Sequence, residues 1–165
     1  MNTINIMHNH IDNADSNDSG IYGKAFEIAI RSYIMNRTAK GVKAQGKTDI
    51  RFTFYGKRHT CEIKTACGEI EQCAGNQYVI YCPNVDPDFP AELQGYVFTR
   101  NEWLSFVNGY TGRGSFVRID KKRGHAHIQS FYVSETIRPK ASKAIARYIE
   151  EVLFDMPTVA DFFGK

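Results

Sequence analysis

Two runs of alternating apolar and polar residues, split by a single glycine, constrain this chain more than any other feature. Ile50, Phe52 and Phe54 alternate with Asp49, Arg51, Thr53 and Tyr55. Successive residues of a strand face opposite ways, so this run is a strand with one buried face. Gly56-Lys57 suits a two-residue hairpin loop with glycine first, and the return strand runs from Arg58 to about Thr65. With those two residues in the loop, Tyr55 pairs with Arg58, and counting back sets Asp49 opposite Lys64. Asp49 then shares a face with Glu62, its diagonal neighbour at about 7–8 Å between α-carbons. A slip of one residue would turn Asp49 to the other face.

The remaining elements are read around this hairpin. The segment 1–19 is rich in Asn, Asp and His and is expected to be a flexible lead-in, with a short ordered piece around Ile4 and Ile6. A helix begins near Asp18 or Ser19, either of which caps free backbone amides. Its stripe of Tyr22, Phe26, Ala29, Ile30, Tyr33 and Ile34 falls at helical spacing and faces the core. Lys40 to Lys47 reads as a turn with a short extended piece. After the hairpin, Gly68 to Ala74 reads as a short helix, and Gln77 to Cys82 as a strand stopped by Pro83.

Downstream, Tyr96 to Phe98 is a strand, and Asn101 to Val107 a short helix closed near Gly109. Ser115 to Asp120 and His125 to Val133 form a hairpin over the turn 121–124. A helix follows from Pro139 to about Phe154, then a short terminal helix or tail over Asp155 to Phe163. The expected whole is a single α+β domain over residues 20–165: a central mixed sheet flanked by helices, in the order α-β-β-β-α-β, with a C-terminal hairpin and helix.

Composition narrows the function classes. At 165 residues with 42% hydrophobic and 24% charged residues, a disordered or fibrous chain is excluded. The apolar runs are far shorter than the roughly 20 residues of a membrane helix, and Met1 to Gly20 is polar, so a cytoplasmic, non-membrane protein is expected. The net charge of +3 permits a nucleic-acid partner only if the basic residues cluster. Cys61, Cys67, Cys73 and Cys82 form no CxxC pair and read as reduced thiols. A zinc site from Cys67, Cys73 and His59 has the wrong spacing for the common modules.

The chemistry gathers on the hairpin. Glu62 and Lys64 share a strand face while Ile63 turns to the core. Asp49 and Glu62, converging from adjacent strands, make a hard oxygen site of the kind Mg2+ or Mn2+ occupies. The Ile63 carbonyl is a further candidate ligand. A lysine beside such an ion orients water or binds phosphate, and its charge keeps the carboxylates ionised. These are the parts of metal-assisted phosphodiester hydrolysis. The bland reading of the same three residues is an ordinary cross-strand ion cluster on a wet sheet face.

With Gly23-Lys24-Ala25-Phe26-Glu27 on the first helix, Gly46-Lys47-Thr48-Asp49 entering a strand and Glu62-Ile63-Lys64 on the next, the chain resembles the PD-(D/E)XK nuclease superfamily. The resemblance covers roughly residues 20 to 82. It implies a restriction-endonuclease-like core of helix, three strands, helix and strand. Asp49 and Glu62 would be its metal carboxylates, Lys64 its catalytic lysine and Glu27 the helix acid that holds a metal-bound water. Gln77, opening the next strand, would be a polar neighbour of the site. Thr48 stands where the motif's name has proline, and the stretch between Lys64 and Gln77 is short for the second helix.

Glu27 also lies four residues before Arg31, the spacing of a surface helix pair, while Gly23 one turn earlier lets the helix approach the sheet. For gripping phosphates the candidates are Lys121, Lys122 and Arg123 in the basic turn, Arg113 and Arg118 before it, and Lys43 and Lys47 near the proposed site. His125 and His127 share a strand face but lack a third ligand, and read as surface. The expected function is a Mg2+-dependent (or Mn2+-dependent) DNA endonuclease acting as a homodimer. The alternative is a catalytically silent protein of the same scaffold, such as a phage or mobile-element inhibitor or regulator engaging DNA or a host protein.

Overall fold

A computed structural model describes residues 2–12, 18–37, 39–43, 50–65, 69–71, 76–111, 117–120, 125–128 and 147–164. Helices α1 (Thr3–Asp12) and α2 (Asp18–Arg37) lead into strands β1 (Ala39–Lys43), β2 (Ile50–Phe54) and β3 (Lys57–Lys64). Then come β4 (Glu69–Glu71), β5 (Tyr78–Tyr81), a 3-10 turn at Ala91–Leu93, β6 (Tyr96–Thr99) and α3 (Arg100–Thr111). Strands β7 (Val117–Asp120) and β8 (His125–Ile128) precede a helix, α4, described over 147–154, and the short α5 (Val159–Phe163).

The main sheet has five strands in the order β1-β2-β3-β5-β6. β1, β2 and β3 form an antiparallel meander, β5 runs parallel to β3, and β6 returns antiparallel to β5. The architecture is α+β with a mixed sheet between helices, as the sequence implies. A second sheet, β4-β8-β7, is antiparallel throughout. Among the described residues, no helix is long and apolar enough to cross a membrane.

Alternation along the strands divides the apolar residues between two cores. Ile50 and Phe52 of β2, Cys61 and Ile63 of β3, Ile80 of β5 and Val97 of β6 pack with α2 through Ala25, Phe26, Ala29, Ile30 and Ile34. Met7 of α1 and Val159 and Phe163 of α5 complete that layer. The residues between them in sequence, Val79 and Tyr81 of β5 and Phe98 of β6, face the other way, against Trp103 and Phe106 of α3 and Ile149 and Leu153 of α4. α2 starts where expected, but its buried stripe takes in Ala25 and leaves Tyr22 exposed. Gly23 lets α2 close on the sheet: a Cβ there would lie 2.7 Å from Thr65 Oγ1.

Three local readings are corrected. Residues 3–12, expected as part of a flexible lead-in, form α1, capped where the Asn2 side chain accepts from the Asn5 amide at 2.9 Å. Thr3 fixes its first turn, donating to Glu92 at 2.6 Å and accepting from the Ala91 amide at 3.2 Å. Glu69–Glu71 is a strand rather than part of a short helix over Gly68–Ala74, because pairing with β8 outweighs local preference. α3 runs through Gly109 to Thr111, its start set by a reciprocal cap: Glu102 N donates to Thr99 Oγ1 and Thr99 N to Glu102 Oε1.

The hairpin turn also differs from its expected form. Phe54 pairs with Lys57, so the loop is Tyr55-Gly56 and not Gly56-Lys57. Both loop residues have positive φ, 50° at Tyr55 and 77° at Gly56, the requirement of a type I′ turn, whose twist matches the flanking strands. The register is therefore two residues away from the one counted from Gly56-Lys57, and a shift of two leaves every side chain on its original face.

At the other margin of the sheet, the chain beyond α4 lies along β6. Val97 N donates to Pro157 O and Val159 N to Gly95 O, both at 2.9 Å, and Tyr96 bridges Thr158. Thr158 and Asp161 then cap α5 reciprocally.

A Cβ at Gly56 would meet nothing within 4 Å, so Gly56→Ala tests backbone conformation alone. We expect a loss of about 1 kcal/mol from the left-handed φ, read as a lower denaturant midpoint with an unchanged slope.

Candidate active site

β3 places Glu62 and Lys64 on the face opposite α2, since the intervening Ile63 and the preceding Cys61 belong to the α2 core. Parallel pairing puts Glu62 beside Val79 and Lys64 beside Tyr81, at the margin of the apolar layer under α3. The two side chains meet: Lys64 Nζ lies 3.1 Å from Glu62 Oε1, with side-chain exposures of only 14% and 17%. The second oxygen, Oε2, accepts from Asn76 Nδ2 at 3.5 Å. Asn76 is 2% exposed, so its amide is held inside the fold against the carboxylate.

What fixes Asn76 there is its neighbour. The Gln77 side chain accepts from the Thr60 amide at 3.2 Å, and the Thr60 hydroxyl accepts from the Gln77 amide at 3.3 Å. This reciprocal clamp locks the entry of β5 against β3, two residues from Glu62. Gln77, the expected polar neighbour, is thus a strand fastener with an exposed side chain, and the residue that reaches Glu62 is Asn76. Sequence pattern gave no sign of this. A buried asparagine just before a strand looks like any other loop asparagine until its partner is known.

Glu27 lies on α2, and its carboxylate pairs with Arg31 Nη2 at 2.7 Å with both side chains largely covered. This is the helix pair its spacing predicts, and the structure does not add Glu27 to the Glu62–Lys64–Asn76 group. Arg31 Nε is buried with no hydrogen-bond partner. Ile63 pairs with Ile80 in the β3–β5 ladder. Lys43 ends β1 and Arg118 lies within β7. Asp49, Lys47, Arg113, Lys121, Lys122 and Arg123 lie outside the described residues, as do Cys67 and Cys73. Cys61 and Cys82 are buried.

Among known proteins, the chain matches no family model, no curated protein and no solved structure. The chemistry must therefore be argued from the side chains themselves. A carboxylate with an ammonium on one oxygen and a buried amide on the other is held in one orientation. Among the residues whose side chains are described, no group of three His, Cys, Asp or Glu is placed to hold a metal ion.

Because the pair is mostly covered, removing one partner leaves a poorly hydrated charge. We expect Lys64→Met to destabilise the fold by about 1–3 kcal/mol. Glu62→Gln with Lys64→Met should cost less than the sum of the two single changes. Chemical denaturation of the four proteins in this cycle measures the coupling.

Proposed function

We propose that the chain is a metal-dependent DNA endonuclease that hydrolyses phosphodiester bonds, with Glu62 and Lys64 as its central residues. The observation that carries this reading is their meeting on one face of β3, with Asn76 bracing the carboxylate. The element order lends support: a helix, three antiparallel strands, a crossover and a strand parallel to the third. The PD-(D/E)XK resemblance implies that order, apart from a helix in the crossover.

In this reading Asp49 is the second carboxylate. Mg2+ or Mn2+ fits a hard carboxylate pair, and when bound it supplies an acidified water and neutralises charge on the phosphate. Asn76 and Lys64 hold the Glu62 carboxylate in one orientation. Lys64 moves from Glu62 to the substrate phosphate or the attacking water. Glu27 exchanges Arg31 for a water at the site. The DNA backbone is held by Lys43, Lys47, Arg113, Arg118 and the turn of Lys121, Lys122 and Arg123, and two copies act together to cut both strands.

The second reading is a silent binding protein of the same scaffold, an inhibitor or regulator from a phage or mobile element that engages DNA or a host protein. One observation favours it: each described acid of the proposed site already holds a cation of its own chain, Lys64 at 3.1 Å and Arg31 at 2.7 Å.

Duplex, single-stranded and branched DNA incubated with the protein and Mg2+ or Mn2+ separate the two. We expect cleavage that falls by about 10²-fold or more in Glu62→Gln and Lys64→Met, and calorimetric Mn2+ binding that Glu62→Gln removes. Cleavage that survives both substitutions takes these residues out of the mechanism. DNA or protein binding with neither cleavage nor Mn2+ uptake establishes the second reading.

A further inference from the structure

The strongest unassigned feature is the second sheet. His125 and His127 are two apart on β8, the central strand, and so share a face. On sequence alone they lack a third ligand. The strand β4 supplies one: Glu71 pairs with His125 and Glu69 with His127, while from the other side β7 pairs Asp120 with His125 and Arg118 with His127. A carboxylate residue therefore stands on each side of His125. Since residues two apart stay on one face, these six positions share it, and Ile70, Ala126 and Ile119, paired in the row between, occupy the other.

From this register we infer a second metal site on the β4-β8-β7 sheet, formed by His125, His127, Glu71 and Asp120, for a borderline divalent cation such as Zn2+ or Co2+. Residues directly opposite in a sheet have Cβ atoms about 4.5–5.5 Å apart, and the two histidine α-carbons are about 7 Å apart along the strand. Mixed nitrogen and oxygen ligands suit Zn2+ and Co2+ rather than Mg2+, which takes oxygen. Both acidic positions fall in the row of His125, and Arg118 falls in the row of His127. A bound ion ties β4, which lies in the crossover from Lys64 to Asn76, to the β7–β8 hairpin. The site is independent of the nuclease reading.

The test is titration of the full chain, stripped of metal, with Co2+, followed by its visible absorption and by calorimetry. We expect one His-dependent equivalent, displaced by Zn2+. His125→Gln and Glu71→Gln should weaken it by at least about 10–100-fold, the range that loss of a mere supporting partner costs, while Glu62→Gln leaves it in place. In the wild-type chain, imidazole 15N signals of His125 and His127 should shift with Zn2+ while those of His8, His10 and His59 do not, a readout that needs no variant to fold. No Co2+ uptake, unchanged affinity in the two variants, or shifts confined to the other histidines would overturn the proposal. Uptake abolished by Glu62→Gln alone would also overturn it and assign the ion to the β3 site.

Discussion

The structure depends on β3 having an occupied surface on both sides. Its odd positions, Cys61 and Ile63, enter the core beneath α2, and its even positions, Glu62 and Lys64, emerge beside the apolar layer under α3. A strand at the middle of a mixed sheet has no spare edge and little freedom to slide. The polar pair is consequently held by the same packing that holds the fold. Burial explains why the pair is tight: with little water available, each charge takes the other as its solvent.

Much of the frame was legible because it follows from periodicity. The change from helical spacing in α2 to alternation in β2 and β3 marks both elements, and the Glu62–Ile63–Lys64 alternation fixes which residues emerge together. The turn was less legible. Glycine in the first loop position belongs to the type II′ turn, whereas here tyrosine adopts a positive φ and glycine follows, as in type I′. The face assignment survives because the error is an even number of residues.

Other features were hidden because their cause is non-local. α1 is short and rich in Asn and His, and it is held by Asn2 capping and by the contact of Thr3 with Glu92, 89 residues away. β4 has only three residues and becomes a strand through a partner more than fifty positions downstream. Asn76 gains its place from the Gln77–Thr60 clamp. Apart from the Asn2 cap, each of these relations joins residues at least 17 positions apart.

The lacing of residues 157–159 onto β6 has a consequence for assembly. The Val97 amide and the Gly95 carbonyl are already satisfied, so another polypeptide finds neither of them unpaired. To pair with β6 at these positions an incoming strand would first have to peel the tail away. The tail thus acts as a selvedge over this stretch of the sheet.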